Sequence, residues 1–80
     1  MDREELINTV IEKVAEEFEV EESVITPEAD IRETLELDSL SLVDLVALIE
    51  STFGVKVKGE ELKNIKTFGA LYDYLEPRVK

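Results

Sequence analysis

The sequence predicts an all-α fold, a four-helix bundle of three main helices and a short third one. Apolar residues recur at helical spacing in three separate segments, and nothing in the pattern suggests a sheet. Eighty residues fall below a typical domain of about 150, so a single domain over 1–80 is expected. The chain has no Cys and no His, which leaves neither disulfides nor the usual metal clips, while 44% hydrophobic residues supply an ordinary core. Stability must therefore come from helix packing.

Each element follows from its own spacing. Between residues 2 and 18, Leu6, Ile7, Val10, Ile11, Val14 and Phe18 recur at helical intervals, and Asp2, Glu4 and Glu5 lie in the first turn, where negative charge complements the helix dipole. Residues 19–37 lack a sustained period and contain Thr-Pro. A structureless connection of that length is uncommon, so short helical turns are expected, pinned to the core by Val20, Val24, Ile25, Ile31, Leu35 and Leu37. From Asp38 to Phe53 a second main helix is clear, with Asp38 as N-cap and Gly54 just beyond its end. After a few extended residues, a short helix is expected around Glu60–Asn64, with Lys63 near its carboxyl end. Thr67 caps a last helix in which Phe68, Leu71, Tyr72 and Leu75 form one face, Gly69 weakens the helix slightly, and Pro77 ends it.

Composition removes whole classes of function. Without Cys or His there is no cysteine nucleophile, Ser-His triad, zinc finger or imidazole base, so the chain is not expected to be an enzyme. Carboxylates alone form no catalytic constellation, and the tyrosines add none: Tyr72 lies on the core face of the last helix, and Tyr74 lies off it without a base nearby in sequence. No apolar run approaches the roughly 18 residues of a membrane span, and the acidic amino terminus is unlike a signal peptide, so a cytoplasmic protein is expected. Nine Lys and Arg against twenty Asp and Glu give a net charge of −11, which argues against nucleic acid as a partner. Residues 1–44 hold 15 acids and 3 bases, net −12, whereas residues 45–80 hold 5 acids and 6 bases, net +1. A solvated, solubilising surface accounts for that asymmetry, and so does steering toward a basic partner.

The second main helix has two apolar faces. At 100° per residue from Leu40, residues Leu42, Leu45, Val46, Ile49 and Phe53 fall between about 140° and 240°, a coherent core face. Opposite it lie Leu40, Val43 and Ala47 among Asp44, Glu50 and Ser51, apolar groups surplus to a simple amphipathic stripe. Either a neighbouring element covers them, or they form a docking patch ringed by carboxylates. Val43→Asp separates the two, by unfolding in the first case and by lost partner binding in the second.

Asp38-Ser39-Leu40 sets a hydroxyl at the start of that helix. Unpaired N–H groups and the positive end of the dipole favour a phosphate ester there, although Asp and Ser at a helix start also serve as plain caps. The tripeptide is preceded by Ile25-Thr26-Pro27-Glu28-Ala29 and Leu35-Glu36-Leu37 and followed by Val43-Asp44-Leu45. Together these segments resemble the signature of acyl carrier proteins. Phe53, Glu60-Glu61-Leu62, Ile65-Lys66-Thr67 and Leu71-Tyr72-Asp73-Tyr74 also stand where that family's sequences would place them, so the resemblance spans nearly the whole chain.

The resemblance implies an acyl-carrier-like four-helix bundle, a monomer, whose Ser39 receives 4′-phosphopantetheine from coenzyme A through a magnesium-dependent phosphopantetheinyl transferase, with Asp38 and Leu40 flanking the site. It further implies partners that load and process acyl groups and dock by basic patches on the acidic second main helix, where Leu40, Val43, Asp44, Ala47 and Glu50 form the matching face. Acyl cargo would shelter near Val46, Ile49, Phe53, Leu62 and Ile65. Two departures stand out. Where the family often has Asp-Leu-Gly, this chain has Thr34-Leu35-Glu36, so a conformation that Gly would ease must be reached by Glu; and Ser41 and Ser51 replace acids common in fatty-acid-synthesis members, which points to a specialised pathway. An aminoacyl or peptidyl carrier would use the same serine, and an unmodified helical adaptor would use the patch with Ser39 merely as a cap.

Overall fold

The first helix forms where the spacing puts it. In the computed structural model, which describes residues 2–79 and Ser39 by its backbone alone, α1 runs Arg3–Phe18 and buries Leu6, Val10 and Val14, four residues apart on one stripe. The stripe packs against α3 (Ser39–Phe53) and α5 (Phe68–Leu75), while the short α4 (Gly59–Asn64) lies against α3. Arg3 clasps the two ends of the chain together, its Nη1 lying 2.9 Å from Asp73 Oδ1 and 2.6 Å from Glu76 Oε2. Among the described residues there is no strand, only an isolated bridge between Asp30 and Thr67.

The long connection is ordered by two small helical pieces, as its length demands. A 3-10 turn covers Glu22–Val24, and α2 covers Ile31–Leu35. Ile25, Ile31 and Leu35 are buried, and Val20 and Leu37 are half-buried. Val24 is the exception to the expected pinning, 44% exposed, because the tight turn sends the next residue, Ile25, inward instead. Backbone hydrogen bonds stitch this segment to the end of the loop before α5 and to the first turn of α5: Ile31 N–H donates to Lys66 O (2.8 Å), Phe68 N–H to Ala29 O (3.3 Å) and Gly69 N–H to Pro27 O (3.0 Å). Gly69 thus has a role beyond weakening its helix, since a Cβ there would stand 3.0 Å from Pro27 O. The glycine is what lets the connection lie against α5.

Three helices end on a left-handed residue. Gly54 takes φ 68° after α3, but α1 and α2 end on Glu19 (φ 54°) and Glu36 (φ 52°), conformations glycine adopts without strain. The Glu36 turn is the one that the departure Thr34-Leu35-Glu36 foretold. It reverses the chain out of α2 and delivers Asp38 to the start of α3.

Candidate functional site at the start of α3

Asp38 caps α3 by accepting two backbone hydrogen bonds on one oxygen, Oδ1, from Leu40 N–H (3.0 Å) and Ser41 N–H (2.8 Å). Its main-chain carbonyl takes the next donor, Leu42 N–H, at 3.0 Å. The N–H groups of Ser41 and Leu40 hold the Asp38 carboxyl below the usual carboxylate range, so it stays ionised at neutral pH. The unpaired N–H groups expected here for a phosphate are a point the structure corrects, because the Asp38 cap engages two of them, those of Leu40 and Ser41. Ser39, the first helical residue, lies at the positive end of the α3 dipole. Ser39 is described by its backbone, so the expectation for its hydroxyl lies outside the described atoms.

The two faces of α3 separate as the wheel predicts. Leu42, Leu45 and Ile49 are buried in the core, with Val46 and Phe53 half-buried beside them. On the other side Leu40 is 79% and Val43 63% exposed, and Asp44, Ala47 and Glu50 are exposed with them. No neighbouring element covers this patch, which excludes the core reading of Leu40 and Val43. Glu50 has a second attachment that spacing could not show: its Oε1 accepts from Val57 N–H at 3.3 Å, holding the loop between α3 and α4.

Two clefts adjoin the site. One, of about 220 Å³, is lined by Arg32, Leu37, Asp38, Leu42 and Lys63, next to the start of α3. The other, of about 330 Å³, is a groove between α3 and α4 lined by Leu42, Val43, Val46, Gly59, Glu60 and Lys63. Of the residues expected to shelter cargo, Val46 alone lines this groove; Ile65 lines a further cleft with Asp30, Lys66 and the same Arg32 and Lys63, while Ile49 and Leu62 are sealed in the core. Among the described residues no cluster of carboxylates is arranged to hold a metal ion, and no helix is long and apolar enough to cross a membrane.

A family model described as "Phosphopantetheine attachment site" matches residues 8–75. The acyl carrier protein of Rubrobacter xylanophilus is 44% identical over 75 residues, covering 94% of this chain and 93% of that one. The chain belongs to the acyl carrier protein family. A second acyl carrier protein, from Thermotoga maritima, is 43% identical over 77 residues, covering 96% of this chain and 95% of that one. The solved structure of an Enterococcus faecalis acyl carrier protein superposes with a TM-score of 0.78 at 31% identity, covering 98% of this chain and 99% of that chain. As a member of this family the chain is a carrier and not an enzyme, it bears covalently attached 4′-phosphopantetheine, and it works with acyl-processing enzymes.

The local structure suits such a group. The dipole of α3 favours a phosphate at its first residue, the Asp38 carboxylate beside it opposes one, and two clefts with both polar and apolar walls open alongside. The acyl carrier family supplied what spacing alone left open, since Asp and Ser at a helix start are equally at home as caps.

Proposed function

We propose that Ser39 is the residue that carries the phosphopantetheine arm, transferred from coenzyme A by a phosphopantetheinyl transferase with magnesium. The single observation behind this is the position of Ser39 as first residue of α3, capped from behind by Asp38 and followed by the exposed Leu40 and Val43. When attached, the arm supplies a terminal thiol that this Cys-free chain lacks, and on which acyl groups are held as thioesters. The chain's own part is to present that position, stay folded around it, and offer a surface that selects the enzyme. Tethering turns encounters with free substrate into delivery at high effective concentration.

The docking surface in this reading is the outer face of α3, with Leu40, Val43 and Ala47 at its centre and Asp44 and Glu50 beside them, and its partners are acyl-loading and acyl-processing enzymes with basic patches. The whole of 1–80 acts as one carrier domain, monomeric and cytoplasmic. Its cargo belongs to fatty acid, polyketide or related specialised biosynthesis, and acyl rather than aminoacyl cargo is supported by relatives named for acyl carriage, among them a meromycolate extension acyl carrier protein of Mycobacterium leprae, 35% identical over 92% of this chain and 64% of that one. Incubation with coenzyme A, magnesium and a broad-specificity transferase, read by intact mass, tests the assignment. The wild-type chain gains one phosphopantetheine and Ser39→Ala gains none; an adduct on the Ser39→Ala chain refutes it.

A further inference from the structure

We propose that Arg32 and Lys63 form a cationic clamp that holds the phosphodiester of the arm beside the start of α3, an inference that rests on Ser39 as the attachment point. The need for such a clamp follows from the cap. Asp38 has taken the N–H groups of Leu40 and Ser41 and remains a carboxylate, so the helix end presents a negative charge next to the place where another negative charge is to be attached. In a chain of net charge −11 the surrounding field opposes that second charge as well. Positive charge has to come from other elements.

Two short helices bring it. Arg32 on α2 and Lys63 in the last turn of α4 line the cleft that Asp38 also lines, although they are 31 residues apart in sequence. The left-handed turn at Glu36, whose N–H bonds back to Arg32 O, folds α2 against the entrance to α3 and so sets Arg32 there. Among the described residues neither cation is engaged in an ion pair; Arg3 alone is, with Asp73 and Glu76. Of the three bases in residues 1–44, Arg3 is paired with Asp73 and Glu76 and Lys13 lies with Glu16 and Glu17 on α1, so Arg32 alone of them lines this cleft. At about 220 Å³ the cleft has the volume of about seven liquid waters, enough for a phosphodiester with some hydration. A guanidinium offers paired donors to phosphate oxygens, and an ammonium adds a point charge. Lys63 also lines the groove between α3 and α4, so a phosphate held between the two cations starts the arm at the mouth of that apolar groove.

The test uses the full chain in apo and holo forms. In the wild type the side-chain Nε–H resonance of Arg32 shifts on conversion to the holo form, and the phosphorus resonance of the arm moves and sharpens as NaCl is raised. In the Arg32→Gln/Lys63→Gln double variant, whose substituted side chains are exposed and whose melting curve should match the wild type, the phosphorus resonance takes the high-salt position at every salt concentration. If the adduct is on Ser39 but Arg32 shows no shift and the double variant's phosphorus resonance coincides with the wild type's throughout, the clamp is wrong and the attachment assignment stands. If the adduct lies on another residue, both are wrong.

Discussion

At the scale of single residues, Asp38 is the side chain on which the site depends, because one carboxylate oxygen organises the first turn of α3. The hydrogen bonds from Ser41 and Leu40 lower its pKa in the folded chain relative to the unfolded one. A depressed folded-state pKa adds stability that is fully present above the unfolded carboxylate value and is lost as pH falls through the folded one. A carboxyl-carbon NMR titration is therefore expected to give Asp38 a midpoint below the 3.8 of an ordinary aspartate, and Asp38→Ala is expected to lower the melting temperature at pH 7 more than Asp38→Asn, which keeps an accepting oxygen. A midpoint at or above the ordinary value contradicts the cap. Tyr72 presents the opposite case. It is buried, its phenol is pushed up by that burial, and its hydroxyl has no hydrogen-bond partner among the described residues. Tyr72→Phe keeps the ring and removes the stranded donor, so chemical denaturation is expected to show a gain of about 1 kcal/mol. A loss of similar size would mean that the hydroxyl is bonded after all.

At the scale of elements, the helix ends show how much was legible beforehand and why the rest was not. α3 could be read in full, cap, two faces and terminal glycine, because a 15-residue helix repeats its period four times and its caps follow local chemistry. α2 is five residues long, too short for any period, and it is held by tertiary means: Asp30 Oδ1 accepts from Glu33 N–H at 3.0 Å, and Ile31 N–H reaches across to Lys66 O. The cleft between Arg32 and Lys63 was invisible for the same reason, since no spacing along the chain encodes how two short helices sit against each other. Glu36, by contrast, announced itself as a residue where glycine would be easier, and it adopts φ 52°. Glu36→Gly and Gly54→Ala exchange the same two backbone preferences in opposite directions. The first is expected to stabilise the fold by about 0.5–1 kcal/mol, the relief of a left-handed residue less the greater freedom of glycine when unfolded. The second is expected to destabilise it by about 1 kcal/mol, from backbone strain alone, because nothing lies within 4 Å of the added Cβ. Urea unfolding of the pair checks both signs.

At the scale of the whole molecule, charge bears on stability and, in the docking proposed for α3, on partner choice. The chain's twenty acids and eight of its nine bases lie in a body of 29 × 26 × 20 Å, and the excess of acid belongs to residues 1–44. At about 0.01 M ionic strength the Debye length of roughly 30 Å exceeds every dimension of this body, so its carboxylates repel one another across the fold; at about 0.15 M it falls to roughly 8 Å and the repulsion becomes local. The melting temperature is therefore expected to rise with salt over that range. Docking is expected to respond in the opposite sense, because the same screening weakens steering toward a basic partner. The patch on α3 lets the two contributions be told apart. Val43 lies 63% exposed at its apolar centre, so Val43→Asp is expected to leave the melting temperature within a few degrees of wild type, yet to place an unpaired carboxylate where the proposed interface would exclude water. Measured by stopped flow against an acyl-processing enzyme, the wild-type association rate is expected to fall steeply with salt, whereas Val43→Asp speeds dissociation at every salt concentration. Val43→Asp complexes that dissociate at the wild-type rate would show that partners engage another face of the bundle, and the exposed apolar side chains of α3 would then need a different explanation.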